Sequence, residues 1–225
     1  LSNLTIVTVS EWMKGEMSSS FLKDCRFQVI HNGIDLDVFD VQSDDKAVRE
    51  KYSLGNKKII LGLASIWCKE KGWDDFVRMS EMLNDDEVIV MVGVSEEQMK
   101  RLPSNVVAIR RTENVRQLAE LYSAATAFVN PTWQDNYPTV NLEAIACGTP
   151  VVTYRTGGSI EAVTDKTGFV VEQGDVKGLL KAVRRIAERG KVQYTADCRA
   201  YALANFRKEE RYADYLKLYE NITAR

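Results

Sequence analysis

Short runs of β-branched residues alternate along the chain with helical patterns, and no other feature of the sequence constrains the fold as strongly. The predicted strands cover residues 5–10, 26–30, 58–65, 87–93, 106–110, 127–130, 150–153 and 168–171. Between them, apolar residues recur at intervals of three and four, most clearly over residues 73–83 and 176–186. This order is typical of parallel βα units and not of a β-sandwich.

Two of the predicted strands show no polar alternation. Residues 59–61 and 88–92 are apolar throughout, and strands of this kind are covered by helices on both faces of a sheet. A chain of 225 residues also has enough material to bury a sizeable core. We therefore predict a three-layer α/β domain, with a Rossmann-like, doubly wound parallel sheet.

Charge and cysteine usage exclude several classes of function. The chain has 30 Lys and Arg against 32 Asp and Glu, a net charge of −2, and this balance offers no basic field to a nucleic acid. The four cysteines form no C-x-x-C pair and His31 is the single histidine, so we expect no metal site and reduced thiols in a cytoplasmic protein. The longest apolar runs, 59–68 and 88–93, are shorter than the roughly 20 residues of a membrane helix.

The segment after the predicted strand 127–130 combines several features of a ligand site. It runs through Asp135 and enters a helix near Pro138, where proline suits the first turn. Thr139 and Glu143 are four residues apart and share a helix face. A helix start at the carboxyl end of a parallel strand favours anions. The alternative interpretation is that Asp135 or Asn136 only caps the helix and that Glu143 is solvated.

Two further strand-to-helix loops are weaker candidates. Gly157 and Gly158 follow the strand 150–153 and would allow close backbone approach to a ligand, although a tight βα connection explains them as well. Lys71 lies at a helix entrance after Ser65 and could face a diphosphate, although a loop lysine is commonly only solvated.

Other enzyme motifs do not occur at the required places. No G-x-G-x-x-G sequence follows a predicted strand and no P-loop sequence is present, so dinucleotide oxidoreductases and P-loop enzymes are excluded. His31 precedes a turn without a nearby nucleophile-elbow serine or cysteine, which makes it a structural or hinge residue and gives no support to a hydrolase.

Several segments, in this order and spacing, resemble the GT-B glycosyltransferases of family 4, also called glycosyl transferases group 1. They are V-I-H-N-G-I-D at 29–35, K-G at 71–72, the acid-to-acid segment 135–143, A-C-G-T-P-V-V at 146–152 and T-G-G-S at 156–159. The match covers nearly the whole chain.

The resemblance implies that the chain is the C-terminal, donor-binding half of such an enzyme. Residues 1–32 would be the end of a missing N-terminal domain and the crossover, and 33–57 the interdomain linker. Residues 58–206 would form the Rossmann-like nucleotide-sugar-binding domain. Residues 207–225 would be a helix that crosses towards the missing N-terminal domain.

The family holds its donor with an E-x7-E motif, whose acids correspond to Asp135 and Glu143. The resemblance implies that Asp135 is the catalytic residue at the sugar and that Glu143 binds the ribose hydroxyls. The other implied donor contacts are Ser65, Lys71, Arg111, Asn136, Tyr137, Pro138, Thr139, Val140, Gly157 and Gly158. Among these, the helix start at 138–140 and Lys71 would bind the diphosphate, and Arg111 would pack against the base.

Two positions depart from the family pattern. Asp135 replaces a glutamate and is shorter by one methylene group, and Ile66 stands where the family places an arginine five residues before the clamp lysine. Lys69 is a hypothetical substitute for that arginine.

The activity implied by the resemblance is retaining transfer of a hexosyl group from a UDP- or GDP-linked sugar to a glycan or lipid-linked acceptor. It would need no metal and no cofactor. The acceptor would bind through the missing N-terminal domain, so we expect the isolated chain to be inactive or weak. The whole enzyme would be cytoplasmic, at the inner face of the membrane with peripheral contact, in polysaccharide biosynthesis. The alternatives are a non-catalytic nucleotide-sugar-binding partner module and a GT-B epimerase or phosphorylase half.

Overall fold

Eight strands and nine α-helices follow one another through residues 4–224, the part of the chain that the computed structural model describes. The strands are β1 (Thr5–Thr8), β2 (Arg26–Val29), β3 (Lys58–Leu63), β4 (Glu87–Val92), β5 (Val106–Ile109), β6 (Ala127–Asn130), β7 (Val151–Tyr154) and β8 (Gly168–Val171). The helices are α1 (Glu11–Ser18), α2 (Lys46–Lys51), α3 (Trp73–Ser80), α4 (Glu96–Met99), α5 (Val115–Ala124), α6 (Thr139–Ala146), α7 (Val176–Arg189), α8 (Val192–Asn205) and α9 (Lys208–Thr223). All eight predicted strands are confirmed, with ends that differ by at most two residues.

The main sheet has six parallel strands in the order β5-β4-β3-β6-β7-β8. The chain builds outward from β3 to β5, returns to β6 beside β3, and then builds outward in the other direction. The predicted doubly wound α/β fold is therefore confirmed. In such a sheet a crevice opens where the strand order reverses, outside the carboxyl ends of the strands. Here that position lies between β3 and β6.

The core explains why the central strands lack polar alternation. Every residue of β4 and β6 is buried, because helices cover both faces of the sheet. On one face α7 contributes Leu179, Val183 and Ile186, all at most 1% exposed. This sheet-facing stripe is the one that the helical spacing over 176–186 predicts.

The strands β1 and β2 form a separate two-stranded parallel sheet with α1 between them in the chain. The segment 33–57 then leads into β3 and contains the short helix α2. Ile34 anchors this segment, since its amide donates to the carbonyl of Phe206 at 2.8 Å and its carbonyl accepts from Lys208 at 3.2 Å. The linker is thus fastened to the end of α8 and the start of α9.

The last helix, α9, returns to the small sheet. A cavity of about 470 Å³ between them is lined on one side by Thr5 and Phe27 and on the other by Leu218 and Ile222. The outer face of α9 carries Tyr212, Leu216 and Tyr219, each more than half exposed. Within residues 4–224, no helix has both the length and the apolar character that crossing a membrane requires.

A buried ion pair fastens α7 to the start of β4. The side chain of Glu87 is 1% exposed, and Arg184 holds it with Nε at 2.8 Å from Oε1 and Nη2 at 2.7 Å from Oε2. The amide of Asn84 donates a further bond to Oε2 at 2.8 Å. Paired and hydrogen-bonded in this way, the carboxylate is tolerated in the interior.

We expect Arg184→Met to lower the free energy of unfolding by about 3 kcal/mol, because it leaves the Glu87 charge buried without its partner. This is the lower end of the usual range, since Arg184 is itself 34% exposed. Urea unfolding measures the change. Lys181→Met, an exposed position on the same helix, is the control and should stay within about 0.5 kcal/mol of the parent. Equal losses in the two variants would contradict the role of the ion pair.

Candidate functional site

The loops that follow β3 and β6 enclose a cleft of about 390 Å³ where the strand order of the sheet reverses. Its lining consists of Leu63, Ala64, Ser65, Lys71, Asn130, Asp135, Tyr137, Pro138, Thr139 and Val140. Seven of the twelve residues predicted for the site are therefore brought together. The other five are Arg111, Asn136, Glu143, Gly157 and Gly158, which do not line this cleft.

An ion pair lies at the centre of the cleft. Lys71 Nζ is 2.6 Å from Asp135 Oδ2, and the two side chains are 40% and 16% exposed. Lys71 belongs to a 3-10 turn, Lys69–Lys71, before α3, and Asp135 belongs to the loop between β6 and α6. A cation and a carboxylate thus stand side by side, both open to a ligand.

The two loops meet because the backbone at Gly72 permits a close approach. Gly72 has φ +79°, and a Cβ there would lie 2.5 Å from the carbonyl oxygen of Pro131, so a side chain at this position would be both strained and obstructed. The carbonyl of Glu70 accepts from the amide of Trp133 at 2.8 Å and from Thr132 Oγ1 at 3.2 Å. These bonds hold Lys71 against Asp135.

The start of α6 presents free amides to the same cleft. Pro138 is the N-cap residue and supplies no side-chain hydrogen bond to the helix, so the first amides, at Thr139 and Val140, have no side-chain cap. The alternative in which Asp135 or Asn136 caps this helix is therefore wrong. Unpaired amides and the helix dipole together favour an anion at this point.

A buried polar network that the sequence analysis missed supports the helix start. Asn130 Nδ2 donates to Asn141 Oδ1 at 2.9 Å, and Asn141 Nδ2 donates to the carbonyl of Ser159 at 3.1 Å. Thr153 Oγ1 lies 2.7 Å from Ser159 Oγ. These side chains tie β6, α6 and β7 together beneath the cleft. The only signal in the sequence is that asparagines occupy positions of a strand and a helix where the pattern calls for apolar side chains.

The glycine pair contacts the loop of Asp135 and not the open space of the cleft. The amide of Gly158 donates to the carbonyl of Asp135 at 3.0 Å. A Cβ on Gly157 would lie 2.1 Å from that same carbonyl oxygen, and one on Gly158 would lie 1.8 Å from the carbonyl oxygen of Asn136. The element that the pair opens is a four-residue 3-10 turn, Gly157–Ile160. The close approach that the glycines allow therefore positions the loop 135–136.

Glu143 lies one helical turn beyond Thr139 and is half-buried. Its Oε2 accepts a hydrogen bond from the hydroxyl of the fully buried Tyr122 at 2.9 Å. Burial raises the pKa of the Glu143 carboxyl above its ordinary value, although the bond from Tyr122 acts in the opposite direction. The alternative in which Glu143 is merely solvated is therefore wrong.

A second cavity, of about 480 Å³, adjoins the first along the carboxyl ends of β3, β4 and β5. Ser65 lines both, and Gly93, Ser95 and Arg110 line the second. Arg110 contributes its guanidinium and pairs with Glu96 at 2.6 Å, whereas the predicted Arg111 is exposed and lines neither cavity. Ile66 is 76% exposed at the rim, and Lys69 lines neither cavity.

Among residues 4–224, no three His, Cys, Asp or Glu side chains are grouped so that they could ligate an ion.

A family model described as glycosyl transferases group 1 matches residues 57–189. The capsular polysaccharide biosynthesis glycosyltransferase CapM of Staphylococcus aureus is 25% identical over 197 residues, which are 80% of this chain and 51% of CapM. A GDP-mannose-dependent α-(1-6)-phosphatidylinositol monomannoside mannosyltransferase of Mycolicibacterium smegmatis is 29% identical over 197 residues, 79% of this chain and 51% of that relative. The chain spans about half the length of these curated relatives.

A solved structure has the same fold. The Anabaena protein HepE, crystallised in complex with UDP-glucose, aligns with a TM-score of 0.82 at 17% sequence identity. The alignment covers 96% of this chain and 64% of HepE.

Gly158→Ala tests whether the glycine pair positions the loop of Asp135. Because a Cβ would lie 1.8 Å from the carbonyl oxygen of Asn136, the loop must move, and we expect a loss of about 1–3 kcal/mol in the free energy of unfolding. Gly15→Ala in α1 is the matched control, since nothing lies within 4 Å of its Cβ position. That control should be neutral or stabilise by up to about 1 kcal/mol. Chemical denaturation measures the free energy of unfolding of both variants. An unchanged value in Gly158→Ala would contradict the close approach of the two loops.

Glu143→Gln should reveal the raised pKa of Glu143 in the pH dependence of stability. The glutamine still offers an oxygen to Tyr122 but carries no charge. Because the carboxyl binds its proton more tightly in the folded state than in the unfolded state, the parent loses stability as pH rises through the raised pKa. The variant lacks this loss, so its stability relative to the parent should increase from acidic to neutral pH in thermal unfolding. A pH-independent difference between Glu143→Gln and the parent would contradict the assignment.

Proposed function

The chain belongs to the glycosyl transferases of group 1, and we propose that it is the donor-binding domain of a retaining glycosyltransferase. Its ligand is a nucleotide-diphosphate sugar, which occupies the two adjoining cavities. The observation that carries the proposal is the Lys71–Asp135 ion pair beside the uncapped start of α6. The cation and the free amides can bind a diphosphate, and the carboxylate can accept hydrogen bonds from the hydroxyls of the sugar joined to it.

The diphosphate is the part of the donor that this site recognises most directly. Lys71 supplies a positive charge, and the amides of Thr139 and Val140 supply hydrogen-bond donors at the positive end of a helix dipole. The same groups stabilise negative charge as it develops on the departing diphosphate during transfer. One set of contacts therefore serves both binding and leaving-group stabilisation.

Asp135 is the catalytic residue of the proposal and orients the sugar. Without ligand, its carboxylate is neutralised by Lys71 at 2.6 Å. When a diphosphate arrives, Lys71 exchanges Asp135 for the phosphates, and the carboxylate becomes free to accept hydrogen bonds from sugar hydroxyls. Because the aspartate side chain is shorter than that of glutamate by one methylene group, it holds the sugar closer to the loop. Fixed orientation of the sugar lowers the barrier to transfer.

The nucleoside occupies the second cavity. Glu143 contacts the ribose hydroxyls, and Arg110, rather than Arg111, packs against the base because it lines this cavity. The base is uracil or guanine. HepE was crystallised with UDP-glucose, and the mycobacterial relative is named for GDP-mannose.

Transfer itself requires more than the donor domain. The acceptor is a glycan or a lipid-linked molecule, as the names of the two relatives suggest, and it binds a separate N-terminal domain. In this proposal, residues 58–206 bind the donor and 33–57 link the two domains. Residues 1–32 are the end of the N-terminal domain and the crossover, and 207–225 cross back towards that domain. The whole enzyme works in the cytoplasm at the inner face of the membrane, in polysaccharide biosynthesis. The isolated chain binds donor and transfers sugar weakly or not at all, without metal or cofactor.

Thermal unfolding with a panel of UDP, GDP and ADP and their sugars tests the proposal. A ligand present at about 100 times its dissociation constant adds roughly 2.7 kcal/mol of stability. We expect stabilisation by the nucleotides of one base. A well-folded sample that no member of the panel stabilises would contradict the donor-binding function.

Lys71→Met should separate the diphosphate contact from the nucleoside contact. Because a charge-assisted hydrogen bond is lost, we expect affinity for the nucleoside diphosphate to fall by about 1.5–3 kcal/mol, with affinity for the nucleoside unchanged. Isothermal titration measures both. Lys69→Met is the control and also tests whether Lys69 replaces the absent clamp arginine. Since Lys69 lines neither cavity, its loss should leave both affinities unchanged, and an equal effect of the two substitutions would remove Lys71 from the diphosphate site.

A further inference from the structure

Glu161 joins two parts of the chain that lie far apart in sequence. It follows the 3-10 turn Gly157–Ile160 and is outside both cavities. Its Oε2 accepts from the amide of Glu11 at 3.0 Å, and its Oε1 accepts from the amide of Trp12 at 2.8 Å. Both amides belong to the first turn of α1. A carboxylate at this position satisfies two free amides and complements the helix dipole.

His31 extends this contact towards the donor cleft. Its Nε2 is 3.3 Å from Glu161 Oε2, and its ring stacks on the ring of Tyr137 with centroids 4.7 Å apart and planes inclined by 25°. His31 comes two residues after β2, so the stack joins the segment that precedes the linker to the loop after β6. A planar stack of this kind restricts where the Tyr137 ring can lie.

Tyr137 is the residue through which such a restriction reaches the site. It is 6% exposed, lines the cleft, and stands between Asp135 and the N-cap residue Pro138. A shift of its ring would move the Asp135 carboxylate on one side and the first amides of α6 on the other. Both groups belong to the proposed donor contacts.

We propose that Glu161 and His31 are positioning residues, which couple the orientation of α1 to the loop that carries Asp135 and the start of α6. This inference rests on the proposed donor function. A movement of α1 pulls on Glu161, changes the contact with His31 and thereby shifts Tyr137. Donor affinity therefore depends on where the β1–α1–β2 segment lies, and a bound donor in turn stabilises the position of α1 by the same free energy.

The coupling itself is tested on the ligand-free chain by NMR. Glu161→Gln removes the charge and one acceptor, and Glu161 does not itself contact residues 137–140 by any hydrogen bond of the described chain. We expect the amide resonances of Tyr137, Thr139 and Val140 to shift in this variant. Glu172→Gln is the matched control, an exposed acid paired only with Arg155 at the surface, and should leave those resonances in place. Unchanged resonances in Glu161→Gln would overturn the inference.

The effect on donor binding is tested by titration with a nucleoside diphosphate and with the corresponding nucleoside. We expect Glu161→Gln and His31→Ala to lower affinity for the diphosphate by roughly tenfold and to leave affinity for the nucleoside unchanged. His31→Phe retains the ring on Tyr137 but not the contact with Glu161, and should recover part of the loss seen in His31→Ala. If Glu161 and His31 were only structural, their substitution would lower the melting temperature without a difference between the effects on diphosphate affinity and on nucleoside affinity.

The two tests separate the inference from the function on which it rests. If the resonances shift and the parent chain binds no nucleoside diphosphate, the donor function fails and the coupling stands. If the parent binds the diphosphate and none of the variants changes its affinity, the donor function stands and the positioning role is refuted.

Discussion

Parallel pairing makes every strand of the main sheet end at the same edge, and the site depends on this constraint. Because the strand order reverses between β3 and β6, their outgoing loops diverge to opposite faces of the sheet and leave a crevice. Lys71 comes from one loop and Asp135 from the other, and they meet across it at 2.6 Å. The uncapped start of α6 adds free amides at the same place. Cation, carboxylate and amides converge here because their loops leave the same edge of the sheet on the two sides of this reversal.

The crevice keeps its shape through backbone contacts and buried polar side chains. Gly72 and Gly158 each bring one loop closer to another than a side chain would allow. Asn130 and Asn141 connect the end of β6 with α6 below the cleft. Each buried polar group is tolerated because it is hydrogen-bonded to another. These groups are already ordered without ligand, so the free-energy cost of ordering them does not reduce the affinity for a donor.

The eight strands and a parallel, doubly wound main sheet could be predicted from β-branched runs and apolar periodicity, whereas the strand order and the separate β1–β2 sheet could not. The placement of the site residues in the loops after the strands was also predictable, because their motifs directly follow the predicted strands. The tertiary contacts of the site residues could not be predicted. Three such contacts join residues that are distant in sequence. The glycine pair contacts the loop 135–136, Tyr122 donates a hydrogen bond to Glu143, and Arg110 rather than Arg111 lines the second cavity. Periodicity carries no information about such contacts, and the role of His31 against Tyr137 was missed for the same reason.

An NMR titration of the ¹⁵N-labelled chain with UDP and GDP tests most directly that the reversal point of the sheet is the donor site. We expect the amide shifts caused by one of the two nucleotides to cluster at Ser65, Lys71, residues 93–98, residues 135–137, Thr139 and Val140. These positions line the two adjoining cavities or flank the ion pair. Shifts concentrated instead at the groove between Met82 and α7, where Leu180 and Arg184 lie, or spread evenly over the surface, would contradict this assignment.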